Sequence, residues 1–370
     1  MALSLKLNES HRRVLRLIRQ HQPVTRAALG KISGLGSGPI TQLTRDLLLA
    51  GLIGEGERIR GGRGQPALPL KLEPGGALSF GVAMSPGRIR IVAVDFTGAL
   101  VDDHIADMPS NGPESVAMLV QEHIDQISRK VRLFDADRIL GLGFAVPGYF
   151  FADHEHMRLV DEHASWRDIN LTAYFSEALN LPCFMENDAT AAALAEYYHA
   201  PSETRCLITL LINYGIGGGL VLEGRPFRGG HGNAGEIGAF FPLDKARPSG
   251  TDLLGFMAER GLELPSLETM NWGDSDQAAM GAQWAERAGP QLAELVESAW
   301  SWFDPDSIHL SGALPTELLE ALVSAMDAPS LFGSFSERPA PKLHASSLGS
   351  AVTAMGAAYL PLHEFSGQLE

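Results

Sequence analysis

From residue 78 onward the chain alternates short apolar runs with glycine turns and helical stretches, a repeat that restricts it to a layered α/β architecture. LSFGVAM and RIRIVAVDFTGAL predict strands, a helix follows at about 113–132, and RILGLGFAVPG predicts the next strand. A second unit of this kind runs from LPCFMEND through a helix, DATAAALAEYYH, to CLITLLINYGIGGGLVLEGRPF. Lying between two apolar runs, GIGGG is expected to be a hairpin turn and not the strand-to-helix loop of a dinucleotide fold. Glycine supplies 40 of the 370 residues, above the usual ~7%. Much of the excess falls after strands, where a backbone must bend tightly or approach a ligand.

The length predicts more than one domain, at roughly 100–200 residues for each. A hydrophobic content of 45% with 20% charged residues excludes a disordered or collagen-like chain. The longest uncharged apolar stretch, CLITLLINY from Cys206, is too short to cross a bilayer as a helix. The N-terminus MALSLKLNESHRR lacks the apolar core and small-residue cleavage site of an export signal, and Cys183 and Cys206 make no disulfide framework. A cytoplasmic protein without a membrane partner is expected.

The net charge of −15 hides an asymmetry. Residues 1–72 hold twelve Lys and Arg against four Asp and Glu, a net of +8, which leaves −23 for the rest. This predicts a basic binding module at 1–72 on an acidic body at 78–370, two parts with different partners. Val14, Leu17 and Ile18 mark a first helix over about 9–21, ending before Pro23. Thr25 caps a second helix that Gly34 closes, and a third begins near Ser37 with Ile40, Leu43 and Leu47 on one face and Gly51 after its end. Ser37, Thr41, Gln42 and Arg45 then present short or forked polar side chains outward, as a recognition helix does in the major groove. LIGEGERIRGGRGQPALPLKL predicts a hairpin whose tip carries Arg60, Arg63, Gly64 and Gln65 toward a minor groove. The competing possibility is a basic cap whose arginines serve only to pack or to meet solvent.

FAVPG (144–148), MENDATAAALAE (185–196), GIGGGLVLEGRPFRGGHGNAGEIG (215–238), FDPDSIHLSGALP (303–315) and the C-terminal SSLGSAVTAMGAAYLPLH resemble the ROK family of repressors and sugar kinases. The basic segment is similar to the winged helix-turn-helix of its repressor members, those for xylose and N-acetylglucosamine among them. The resemblance implies a two-lobed, actin-like sugar kinase/ATPase fold with a sugar in the cleft between lobes. It also implies that Asn187, Asp188 and Glu236 bind the sugar, Asp188 being the base of the kinases. An amide and two carboxylates are chemically suited to reading hydroxyls. A helix N-cap is the other role open to Asp188, and a surface loop acid the other role open to Glu236. Asn233 and His231 are weaker ligand candidates, since polar residues in glycine loops often satisfy their own backbone.

The parts that handle phosphate depart from the kinase pattern. Where the family's first phosphate motif resembles DxGGTK, this chain has Ala83-Met84-Ser85-Pro86-Gly87-Arg88, and Pro86 removes a backbone donor. Asn213-Tyr214-Gly215 stands where many members read GTG. Phosphoryl transfer depends on positioning and charge neutralisation, so little or no sugar phosphorylation is expected and Asp188 becomes a vestigial base. Many members also hold a structural zinc through a histidine and a cysteine cluster after GEIG. Here Ala239 and FFPLDKARPSGTDLL supply neither, and Cys183 and Cys206 are expected to be core residues. Asp252 is the one substitute offered for the missing second sugar carboxylate. The expectation is a non-enzymatic regulator, without cofactor or metal, that binds operator DNA as a homodimer or larger homo-oligomer under control of a sugar. A ROK-type ATP-dependent sugar kinase is the alternative.

Overall fold

A computed structural model describes residues 7–57, 68–109, 112–130, 136–153, 155–159, 166–326 and 337–367. Its N-terminal unit has three helices and a two-stranded sheet. Asn8 accepts a hydrogen bond from the His11 N–H at the start of α1 (Glu9–His21), which buries Val14, Leu15 and Ile18. The Thr25 hydroxyl accepts from the Ala28 N–H, 3.2 Å, at the start of α2 (Arg26–Ser33), and Gly34 at φ 70° ends it. Helix α3 (Ser37–Leu49) buries Ile40, Leu43, Thr44 and Leu47 and tolerates Pro39 because the first turn leaves N–H groups without intrahelical partners. Strand β1 (Ile53–Glu55) pairs antiparallel with β2 (Leu70–Leu72). Arg60, Arg63, Gly64 and Gln65 lie outside the described residues.

The body holds two five-stranded sheets. In the first, β3 (Leu78–Ser85), β4 (Arg88–Asp95) and β5 (Leu100–Asp107) form an antiparallel meander. Strands β6 (Ile139–Val146) and β9 (Cys183–Asn187) extend it in parallel, in the order β5-β4-β3-β6-β9. Helix α4 (Pro113–Lys130), the small hairpin β7 (Gly148–Phe150) and β8 (Met157–Leu159), and helix α5 (Leu171–Leu179) fill the connections. RIRIVAVDFTGAL is therefore not one strand. The Asp95 carboxylate accepts from the N–H groups of Thr97 and Ala99, at 2.8 and 3.1 Å, and turns the chain into an edge strand whose charges had hidden it.

The second sheet has the order β12-β11-β10-β13-β14, with β10 (Cys206–Ile212), β11 (Ile216–Leu222), β12 (Arg225–Pro226), β13 (Ser307–Gly312) and β14 (Lys342–Ala345). The glycine run corrects the hairpin-turn expectation. The turn is Asn213–Gly215, and Ile216–Gly219 are already in β11, paired with Thr209–Ile212. Helix α6 (Asp188–His199) requires those glycines: a Cβ on Gly219 would lie 2.2 Å from the Ala189 carbonyl oxygen. Helices α7 (Gly250–Ala258), α8 (Ser275–Phe303) and α9 (Thr316–Ala325) complete this lobe.

Helix α6 also packs on α10 (Val352–Phe365), so closely that a Cβ on Gly356 would lie 1.8 Å from the Ala191 carbonyl oxygen. One apolar cluster joins Val14, Ile18 and Leu47 of the N-terminal unit to Val92, Phe96 and Tyr359 of the body. Polar contacts reinforce this junction. Arg12 donates to the Glu364 carbonyl and Arg16 to those of Ser366 and Gly367, so both cations meet the carbonyl end of α10. Arg19 donates to the Phe96 and Thr97 carbonyls and lies over the rings of Phe96 and Tyr198. The positive charge of residues 1–72 is thus partly devoted to packing, and the net of +8 overstates what faces outward.

Candidate functional site

The mutual placement of β9, α6 and the β10–β11 turn creates a cavity of about 410 Å³ with Asn187, Asp188, Asn213 and Glu236 in its lining. Met84, Pro86, Pro147, Tyr149 and Ile216 provide apolar surfaces, leaving a few convergent polar groups, as in small-molecule sites generally. Asn187, not Asp188, is the N-cap of α6: its Oδ1 accepts from the N–H groups of Ala189 and Thr190, at 2.8 and 3.2 Å. Its Nδ2 donates to the Gly148 carbonyl at 2.8 Å, leaving one amide hydrogen for a ligand. Asp188 is the first residue of α6. Burial pushes its carboxyl up to about 7, and the nearby Glu236 charge adds to the rise. N–H bonds from Ala189 and from Asp188 itself, with the Asn213 side chain, oppose it. Glu236 stands at the more open edge of the cavity, its carboxyl raised by partial loss of hydration.

Asn213, in the turn that departs from the kinase phosphate motif, is a cleft residue. It bonds Asp188, and its Oδ1 accepts from the Ala313 N–H at 2.9 Å. Glu186, unforeseen, is fully buried beneath the cleft strand and takes the Arg228 guanidinium at 2.7 Å. It lies within MENDATAAALAE, directly before Asn187, and that position was its one signal in the sequence. The weaker candidates fall away from the cavity lining. Asn233 accepts from the Phe150 N–H and donates to the Phe150 carbonyl, at 2.7 and 2.8 Å, which joins its loop to β7, and His231 is exposed. Asp252 does not fill the place of a second sugar carboxylate: it bonds Trp284 and Arg287 and is absent from the cleft lining.

The adjoining cavity, about 230 Å³, has Ser85, Arg88, Arg90, Tyr214, Glu268 and Ser350 in its lining. Arg90 is held there by both carboxylate oxygens of Asp103 and by Ser350, and the Tyr214 hydroxyl donates to Glu268 at 3.1 Å. The β3–β4 turn has Pro86 without an N–H and Gly87 at φ 68°, a tight turn instead of a donor-rich phosphate loop. A larger cavity of about 590 Å³ lies beside β13 and β14. Its buried acid, Glu196, is already satisfied by His309 at 3.0 Å and Ser311 at 2.7 Å. The cleft of about 410 Å³ is the better ligand candidate because Asp188 and Glu236 converge on it with Asn187 and Asn213.

On the N-terminal unit, Ser37, Thr41 and Arg45 recur every fourth residue of α3 and are exposed, forming one stripe. Gln42 is exposed beside it, although its amide donates to Asp46 at 2.8 Å. No described helix is long and apolar enough to cross a membrane.

The ROK family profile matches residues 80–364. An uncharacterized protein, y4fQ of Sinorhizobium fredii, is 33% identical over 359 residues, covering 96% of this chain and 91% of its own. The DNA-binding transcriptional dual regulator NagC of Escherichia coli is 25% identical over 347 residues, covering 85% and 82%. Among solved structures, a ROK family transcriptional regulator described as a homolog of the E. coli MLC protein has a TM-score of 0.70 at 23% identity, covering 98% of this chain and 97% of that one. The ROK hexokinase of Thermus thermophilus has a TM-score of 0.56 at 26% identity, covering 78% and 99%.

Proposed function

The chain belongs to the ROK family, and on that premise we propose that it is a DNA-binding transcriptional regulator, a repressor of sugar metabolism or transport genes, controlled by a sugar or sugar derivative in its cleft. The observation that carries this reading is the connection between two surfaces. The N-terminal unit, with its exposed stripe, is attached by Arg12 and Arg16 to the end of α10, and α10 packs on the helix that begins at Asp188. A ligand that prefers one arrangement of this helix pair can then alter the presentation of α3, whereas equal affinity for both arrangements would shift nothing.

In this reading residues 1–72 form a winged helix-turn-helix and 78–370 an actin-like sugar-binding body. Ser37, Thr41, Gln42 and Arg45 enter the major groove, and Arg60, Arg63, Gly64 and Gln65 reach the minor groove. A homodimer on a pseudo-palindromic operator supplies the symmetry. Asn187, Asp188 and Glu236 hold the effector hydroxyls, with Asn213 steadying Asp188. His231 and Asn233 are reassigned from ligand contact to the supporting loop. NagC and the MLC homolog, both described as transcriptional regulators, support the regulatory half of the reading.

The hexokinase likeness favours a second reading, an ATP-dependent sugar kinase. Against it stand Ala83 and Pro86 in the first phosphate turn and Tyr214 in the second. Fluorescence anisotropy at fixed salt, on DNA upstream of the chain's own gene, tests the proposal with xylose and N-acetylglucosamine included among the added sugars. Binding that exceeds a scrambled duplex and shifts with one sugar is expected. No preference over scrambled DNA, together with sugar-dependent ATP turnover, would replace the regulator by the kinase.

A further inference from the structure

The family resemblance implies a zinc in the segment after Gly238, and the residues present do not fit one. Residues 239–252 contain no cysteine or histidine. The two thiols lie outside this segment, in β9 and β10, and burial pushes Cys183 up to about 12 and Cys206 up to about 11, so neither offers a ready thiolate.

A different set of contacts holds the segment. Asp252 lies in the first turn of α7, where Ser249 is the N-cap. Its Oδ2 accepts from the Trp284 indole N–H at 2.7 Å and from the Arg287 guanidinium, and its Oδ1 accepts from the Arg247 N–H at 3.3 Å. Trp284, Arg287 and Gln291 follow one side of α8, and the Gln291 amide donates to the Ala246 carbonyl at 2.9 Å. Arg287 and Arg260 both lie near the Phe256 ring, with their guanidinium carbons 5.0 and 3.5 Å from its centroid.

This anchor reaches the cleft through backbone bonds. The Gly250 N–H donates to the Asn213 carbonyl at 2.7 Å, and the Thr251 N–H to the Tyr214 carbonyl at 3.1 Å. The α7 turn carrying Asp252 therefore grips the turn whose Asn213 side chain bonds Asp188. A Cβ on Gly238, two residues after Glu236, would meet Arg247 at 3.4 Å and the Ile216 carbonyl at 2.9 Å, so the anchored segment also lies against the loop carrying Glu236.

We propose that Asp252, Trp284 and Arg287 form a metal-free anchor that replaces zinc in this chain and positions the Asn213–Tyr214 turn and the Glu236 loop at the ligand cleft. These are positioning residues, since none lines the cleft. Describing the positioned groups as ligand contacts rests on the function proposed above, but the anchor can be tested without any ligand.

Hydrogen exchange of the full chain, followed by mass spectrometry, reads the Gly250 and Thr251 amides and the Gly235–Ile237 segment. Elemental analysis and EDTA treatment read the metal. The wild-type chain is expected to contain no stoichiometric zinc and to keep its exchange pattern in EDTA. Arg287→Ala should speed exchange of the Gly250 and Thr251 amides and the Gly235–Ile237 segment roughly tenfold or more, leaving α1–α3 and the first sheet unchanged. Arg287→Lys, which retains the charge, should restore much of the protection. Stoichiometric zinc whose removal deprotects the segment would overturn the proposal. So would unchanged local exchange in Arg287→Ala, or a uniform increase across the molecule. Asp252→Asn provides a second variant with the same expected locality, because Trp284 can still donate to its side-chain oxygen. These outcomes are separate from those of the DNA and sugar assay.

Discussion

The Arg16 guanidinium lies 2.6 Å from the Ser366 carbonyl oxygen, joining the first helix to the chain end that follows the last one, 350 residues away. A second bond from the same nitrogen reaches the Gly367 carbonyl at 3.2 Å, and Arg12 reaches Glu364. Helix C-termini leave carbonyls without intrahelical partners, and arginine forks satisfy several of them together. The link thereby orients α3 relative to the helix pair leading to the cleft.

Replacing both Arg12 and Arg16 by alanine should weaken that link while leaving the α3 stripe intact. Charge-assisted bonds of this kind contribute about 1.5–3 kcal/mol each, and partial exposure reduces this. DNA affinity without effector is expected to change less than threefold, while the sugar-induced shift in anisotropy is lost. A retained sugar response in the double variant would exclude this route of coupling.

Arg45 is exposed on α3 and should contact DNA directly. For Arg45→Ala we expect operator affinity to fall by about 1–3 kcal/mol if it reads a base, or the salt slope to fall by about one if it meets a phosphate. Titrations at several salt concentrations distinguish the two. Unchanged affinity and slope would remove α3 as the DNA-facing helix.

ATP turnover in the presence of sugars should match that of an Asp188→Asn control. Pro86 and Tyr214 occupy the two phosphate turns, so the raised carboxyl of Asp188 has no positioned phosphoryl group to serve. A coupled ADP assay reads this directly. Sugar-dependent turnover abolished by Asp188→Asn would establish the kinase.

The buried His363 and the half-buried Asp188 titrate with opposite effects on stability. Burial holds the His363 imidazole down at about 3, where its nitrogens meet the Gly224 carbonyl at 2.9 Å and the Tyr198 hydroxyl at 3.1 Å. Below about pH 6.5 the unfolded chain takes up a proton that the folded chain refuses, so His363 lowers stability as pH falls from 6.5 toward 3. Asp188, raised to about 7, retains its proton in the folded chain between about pH 3.8 and 7, so its contribution to stability rises as pH falls through 7. Each slope is limited to about 1.4 kcal/mol per pH unit. Denaturant melts from pH 4.5 to 8 should therefore show a steeper acid loss in Asp188→Asn and a shallower one in His363→Gln.

Gly219→Ala should damage the cleft from beneath. Its Cβ would lie 2.2 Å from the Ala189 carbonyl oxygen and 2.6 Å from the Ala193 Cβ, displacing the first turns of α6. Overpacking of this kind costs about 1–3 kcal/mol or more. We expect a lowered Tm together with weaker sugar binding. Gly75→Ala, which meets nothing within 4 Å and lies outside the cleft lining, is the control.

Much of the architecture was legible because its signals are local. The caps at Thr25 and Gly34, the burial of Ile40, Leu43 and Leu47, and the α/β alternation depend on residues a few positions apart. The edge strand β5 escaped because VDDHIAD carries charge on an exposed edge. The glycine run was mistaken for a turn because its purpose, admitting α6 against β11, is a contact with another element.

The sequence by itself determined the layered α/β class and the basic N-terminal segment, since periodicity and composition are properties of the linear chain, and the resemblance of its motifs pointed to Asp188 and Glu236. Only the tertiary structure decided which polar side chains remain available. It directed Arg12, Arg16 and Arg19 to the body, Asn233 to Phe150, Asp252 to Trp284 and Arg287, and Asn213 to Asp188. The physical reason is that a buried polar group must find a partner, and the partner it finds is set by which distant elements pack together.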